Sequence, residues 1–166
     1  MLGRLRMSRS FVLSLLALVG FVVGGCQPGI GDSCGSSTDC SATGERQCDR
    51  AQPGGYCTVL GCNADTCPGG SVCVEWRFIP SRTAETWCMK PCSNDGDCRT
   101  AYLCALPSQI TPEGTRSEVE LPEDQRIARI IDLEDKKASA LICAALVDPR
   151  GLPVQDASVE PDSGSQ

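Results

Sequence analysis

The chain contains no histidine. That absence removes imidazole general acid/base catalysis, Ser-His-Asp and Cys-His arrangements and every histidine-bearing zinc site. Aromatic residues are scarce, at 4% of 166 residues, so burial of large side chains is not expected to be the main staple of the fold. The long apolar run, Phe11 to Gly24, has only 14 residues, short of the ~20 that a membrane-spanning helix needs. No two cysteines stand in the Cys-x2-Cys spacing of paired zinc-thiolate ligands. Cysteine itself is abundant: 13 residues, close to the density of disulfide scaffolds.

An odd cysteine count is explained by the N-terminus. Arg4, Arg6 and Arg9 make a positive segment free of acids, the apolar run follows, and small residues precede Cys26. Residues 1–25 therefore read as an export signal. Val23-Gly24-Gly25-Cys26 resembles the lipobox of bacterial lipoproteins. The resemblance implies that Cys26 receives a diacylglycerol thioether and becomes the first residue of the mature chain. Gln27 in place of Asp implies, by similarity to enterobacterial sorting, a cell-envelope address at the outer membrane. Parity agrees, because without Cys26 twelve thiols remain, an even number that an oxidising compartment can pair. Loss of the three signal arginines leaves twelve bases against 21 acids, a net charge of −9, which disfavours nucleic acid as a partner. Residues 26–33 are then a lipidated N-terminus and short tether reaching at most about 25 Å. The membrane is contacted through the lipid anchor.

From Cys34 the twelve cysteines divide into three units of four: Cys34, Cys40, Cys48, Cys57 (34–57); Cys62, Cys67, Cys73, Cys88 (62–88); and Cys92, Cys98, Cys104, Cys143 (92–143). The first two gaps of each unit are short and nearly constant, while the third has 8, 14 and 38 residues. This is a tandem repeat with one expandable loop. Asp39, Thr66 and Asp97 precede each second cysteine, and Tyr56, Trp87 and Ile142 precede each fourth. The predicted class is small, disulfide-rich and mainly β, with little helix outside the signal and a β-hairpin in each variable gap. In the second unit, centring the hairpin on Ser81-Arg82 sets Trp76 opposite Trp87 and gathers Trp76, Phe78, Trp87 and Met89 on one face. That face is either local core or an open contact patch. In the third unit, a polar loop from Ser108 to Asp124 precedes 126–133, where Ile127, Ile130 and Ile131 also fit one face of a helix but the β-branched content and the repeat favour a strand. This strand is expected to fold back at Glu134–Lys137 onto Ala140 to Val147. Residues 148–166 hold too little apolar material to bury and predict a disordered acidic tail.

Closure within units leaves three pairings each, about 27 in all. Cys92-x2-Asp95-x2-Cys98-x5-Cys104 is similar to the core of whey-acidic-protein domains. That resemblance implies bridges from first to third and from second to fourth cysteine. The chain departs from the family at Ala105, where the family has a further cysteine, and no segment matches the family's inhibitory loop. The whole arrangement resembles cysteine-rich lipobox proteins of predatory and gliding deltaproteobacteria. Asp95 and Asp97 with Asn94 have the chemistry of calcium ligands but lack a bidentate Glu, so capping of backbone amides is the expected role. Glu123 and Asp124 are read as solvated loop carboxylates rather than a hydrolase pair. No metal, cofactor or catalytic residue is expected. The expected function is a membrane-anchored binding or structural module whose partner is an envelope or extracellular protein or glycan. The alternative is a protease inhibitor presenting a loop between Pro107 and Glu123.

Overall fold

The computed structural model describes residues 27–77, 81–131 and 137–147. The signal segment, Cys26, Phe78, Glu134–Lys136 and the tail from 148 lie outside them. The described chain is mainly β. One helical turn, α1 (Ser37–Cys40), precedes β1 (Gln47–Asp49) and β2 (Tyr56–Thr58). β3 (Val72–Trp76) and β4 (Glu85–Met89) follow, then β5 (Pro91–Cys92), β6 (Leu103–Ala105), β7 (Ala128–Ile130) and β8 (Leu141–Ala144). Three antiparallel sheets result, in the orders β1-β2, β4-β3-β7 and β5-β8-β6.

Six disulfides join first to third and second to fourth cysteine in every unit: Cys34–Cys48 and Cys40–Cys57, Cys62–Cys73 and Cys67–Cys88, Cys92–Cys104 and Cys98–Cys143. The sheet register explains the pairing. Third and fourth cysteines stand directly opposite one another on neighbouring strands, as Cys48↔Cys57, Cys73↔Cys88 and Cys104↔Cys143. Opposed residues point to the same sheet face, so both bridges of a unit leave that face side by side and clamp the loop carrying its first two cysteines.

That loop is too short to hold a ladder, so a side chain satisfies its amides. Asp39 Oδ2 accepts the N–H groups of Gly35 and Ser36, both at 2.8 Å. Asp97 Oδ2 accepts those of Ser93 and Asn94 at 2.7 and 3.1 Å, and Thr66 Oγ1 accepts that of Asn63 at 2.9 Å. The polar residue before each second cysteine is thus the cap of each loop.

Two expectations about strand partners are overturned. In the second unit the register is Trp76↔Glu85 and Val74↔Trp87, not Trp76 opposite Trp87. This register sets Cys73 opposite Cys88 and shortens the connecting loop by two residues, with the 3-10 turn Ser81–Thr83 lying before β4. A shift of two residues preserves the face, so both tryptophans still share it as diagonal neighbours. In the third unit, β7 does not fold back onto Ala140 to Val147. It adds to the free edge of β3, with Val74↔Ile130, Glu75↔Arg129 and Trp76↔Ala128, and Arg129 pairs with Glu75 across the ladder at 2.6 Å. β8 instead pairs with β5 and β6, so the third unit closes its own cysteine ladder without a hairpin.

Neither is each unit held by its bridges alone, as the scarcity of aromatics suggests. One apolar core draws on all three: Tyr56 from the first, Val72, Val74 and Met89 from the second, and Tyr102, Ile110, Ala128 and Ile142 from the third. Ile110 comes from the loop read as polar and is 1% exposed. The first unit also continues along β4, where the Cys88 N–H donates to the Val59 carbonyl at 3.0 Å and that of Gly61 to the Thr86 carbonyl at 2.8 Å.

Arg99 locks the junction. Its Nε donates to the Gly31 carbonyl at 2.9 Å, and its Nη2 to the Gly55 carbonyl and to the Tyr102 hydroxyl. The guanidinium lies 4.2 Å from the Tyr102 ring centre, and the Tyr56 and Tyr102 rings are 5.5 Å apart. Close approach here depends on glycine. At Gly55 (φ 68°) a Cβ would collide with the Cys34 carbonyl, and at Gly31 (φ 92°) it would lie 2.7 Å from Lys90 Cβ.

Candidate functional site

Where the three units meet, a cleft of about 320 Å³ opens beside the β3–β4 face. Trp76 and Trp87 are half-buried and line it, with Met89 at 9% exposure beneath them. As diagonal neighbours their Cβ atoms are separated by roughly 7 Å, so the two indoles occupy successive positions along one wall. Of the four residues expected to share this face, the structure brings these three together; Phe78 lies outside the described residues.

The opposite wall comes from elsewhere in the chain. Tyr56 and Thr58 of β2, with Asp49 and Gln52 before it, supply the first unit's part. Ile110 and Ile127 from the long insertion, and Ala144 to Leu146 at the end of β8 and just beyond it, complete the floor. None of these was placed beside the tryptophans by sequence reasoning. The bulky residue before each fourth cysteine was the one available signal, and it does mark Tyr56 and Trp87.

Charge sits at the rim. Asp49 is half-buried, Oδ1 accepting the Ala51 N–H at 3.0 Å. Glu85 is exposed, and Oε2 accepts the Trp87 Nε1–H at 3.4 Å. Arg77, the residue after β3, has φ 52°, a left-handed conformation costing on the order of 1 kcal/mol for a non-glycine residue. Its N–H donates to the Ile127 carbonyl at 2.6 Å. Below the rim, burial pushes the Tyr56 hydroxyl well above the ordinary tyrosine pKa, and it accepts the Lys90 N–H at 2.9 Å. Burial also pushes Tyr102 up to about 12. Both rings are therefore neutral packing groups at physiological pH.

The other candidate groups have structural partners. Asp97 caps its loop, as above. Asp95 forms a two-pronged pair with Arg116 at 2.7 and 3.1 Å and accepts the Cys104 N–H at 2.8 Å. The Arg116 hydrogen bond is the main cause holding the Asp95 carboxyl below the usual carboxylate range. Three cysteine triads bring their sulfurs within 4.8 Å of one another, but every one of these sulfurs belongs to a disulfide and offers no thiolate. Glu123 and Asp124 are exposed in the 3-10 turn Glu123–Gln125.

The loop considered for protease docking is largely spoken for. Pro107 and Ile110 are buried. The N–H groups of Ser117 and Leu121 donate to the carbonyls of Gln109 and Ser108, each at 2.8 Å. Residues 118–120 project, with Val119 69% exposed.

No known protein-family model, characterised protein or solved structure matches this chain.

Proposed function

We propose that this chain is a membrane-anchored envelope lipoprotein, and that the cleft walled by Trp76 and Trp87 is where it binds its partner. The observation that carries the binding reading is the placement of both tryptophans at the junction of all three units, along one concave surface. A rigid cleft with an apolar floor and a few polar groups at its mouth is the usual form of a recognition site. Six bridges hold its walls before any ligand arrives, so little ordering entropy is lost on binding.

Two features support the anchor. The six disulfides take every cysteine except Cys26, which leaves that thiol for acylation. The segment after it is docked onto the body: the Gly31 N–H donates to the Cys57 carbonyl at 2.9 Å, and Arg46 Nη2 donates to Gln27 Oε1 at 3.0 Å. A lipid on Cys26 would hold the folded body against the bilayer rather than on a long stalk.

The inhibitor reading rests on Val119, the exposed apolar tip of the 118–120 projection. It is the weaker one, because burial of Pro107 and Ile110 leaves too short a free stretch to fill a protease cleft in extended form.

The test uses the lipidated protein from a bacterial envelope. Mass spectrometry of the N-terminus is expected to find an acylated Cys26, and Cys26→Ser to release the protein from membranes; a free thiol there overturns the anchor. Immobilised protein is expected to retain envelope glycans or proteins, with retention lost in Trp76→Ala and Trp87→Ala. Retention unchanged in both variants would remove the cleft as the site. Loss in Val119→Asp alone, together with inhibition of a protease panel, would favour the inhibitor.

A further inference from the structure

We infer that the ligand of this cleft is a basic peptide segment, which places a lysine or arginine side chain against the two tryptophans. This rests on the cleft being a binding site and adds the chemistry of what enters it.

The floor and the rim make different demands. Met89, Ile110 and Leu146 offer the floor nothing but apolar contact, whereas among the described residues the rim carries the carboxylates of Asp49 and Glu85 and one guanidinium, that of Arg77. A ligand matching both needs an alkyl stem ending in a cation, which is the construction of lysine and arginine side chains. The indoles add to this selectivity, because a cation over a tryptophan face is attracted by the ring quadrupole, most strongly where water is partly excluded. Two half-buried indoles at successive positions on one wall provide such faces. An anionic side chain would meet the same ring faces and two carboxylates with repulsion.

Size points the same way. A cleft of about 320 Å³ stands at the small end of ligand-binding cavities. It has room for one long side chain and its neighbours, not for the flat surface of a folded domain. Charge over the rest of the molecule favours approach, since 21 acids outnumber 15 bases even before the signal arginines leave, and a field of one sign steers oppositely charged partners. The chain already uses this chemistry internally, where the Arg99 guanidinium lies over the Tyr102 ring at 4.2 Å and near Tyr56 at 5.9 Å.

The experiment follows tryptophan fluorescence of the full mature chain while titrating three capped pentapeptides. They differ only in a central lysine, glutamine or glutamate between two leucines. The lysine peptide is expected to bind about tenfold more tightly than the glutamate peptide, with an advantage that shrinks as salt is added. Glu85→Gln and Asp49→Asn are each expected to weaken the lysine peptide about two- to fivefold, and Arg77→Ala to strengthen it by a similar factor. Near-ultraviolet circular dichroism checks that each variant keeps the fold. Equal or tighter binding of the glutamine or glutamate peptide overturns the cationic ligand while leaving the cleft as a binding site. Weakening by Arg77→Ala does the same. If no peptide perturbs the fluorescence and envelope retention also ignores Trp76→Ala, the cleft falls together with its ligand.

Discussion

The first and third units begin alike and end differently. Both bridge first to third and second to fourth cysteine, and both cap the loop between their first two cysteines with an aspartate, Asp39 or Asp97. In the first unit an eight-residue gap closes a two-stranded ribbon, with Gln52 half-buried in its turn. In the third unit the corresponding gap has 38 residues. It sends Ile110 into the shared core and β7 to the edge of β3, and it returns only then to complete its cysteine ladder. A common disulfide frame is thus compatible with two roles. The short gap makes a clamp, and the long gap joins the units into one body.

The largest expected losses lie in the bridges themselves. Converting both Cys98 and Cys143, 45 residues apart, to serine is expected to cost about 4 kcal/mol through released loop entropy. The Cys34 and Cys48 pair, 14 apart, should cost about 3 kcal/mol. Burial of Cys143 at 2% exposure widens the gap further. Urea midpoints of the two double variants would measure it, and a larger loss at Cys34 and Cys48 would mean that the clamp, not the long insertion, holds the molecule.

The gap residues should show smaller losses but a wider separation. Ile110→Ala removes a side chain 1% exposed in the common core and is expected to cost about 3 kcal/mol. Gln52→Ala, at a half-buried polar position in the turn of the first unit, should cost less than about 1 kcal/mol. If the two were equal in denaturant unfolding, the insertion would be a passenger on the fold rather than its centre.

The smallest contrast is in acid. Asp39 and Asp95 both titrate below the ordinary carboxylate range, Asp39 chiefly through the Gly35 backbone amide and Asp95 chiefly through Arg116. A carboxyl whose folded pKa is depressed stabilises the fold fully above its unfolded pKa and loses that contribution as pH falls through its folded pKa. Stability is therefore expected to fall below the usual carboxylate range, less steeply in Asp39→Asn and in Asp95→Asn. At neutral pH Asp95→Asn should cost less than about 1 kcal/mol, because the pair is half-exposed. Added salt should diminish the Asp95 contribution and spare that of Asp39, whose partners are backbone amides. Chemical denaturation across pH at two salt concentrations distinguishes them. Equal salt sensitivity would show that Arg116 is not the controlling partner of Asp95.

Cysteine spacing was enough to divide the chain into its units and to mark the capping residues, because these relations are short in sequence and are governed by local geometry. The mainly β class and the face shared by Trp76, Trp87 and Met89 were legible for the same reason: alternation has a period of two, and it survives an error of two residues in register. Strand partners were not legible in this way. β7 is three residues long, and nothing within it distinguishes the edge of β3 from that of β8; the choice depends on which edge is free once the other units have packed. The cleft belongs to the same class of fact. Trp76 and Trp87 are neighbours by pattern, but Tyr56, Asp49, Ile110 and Leu146 reach them only across the junction of three units, where burial of a common core decides which surfaces meet.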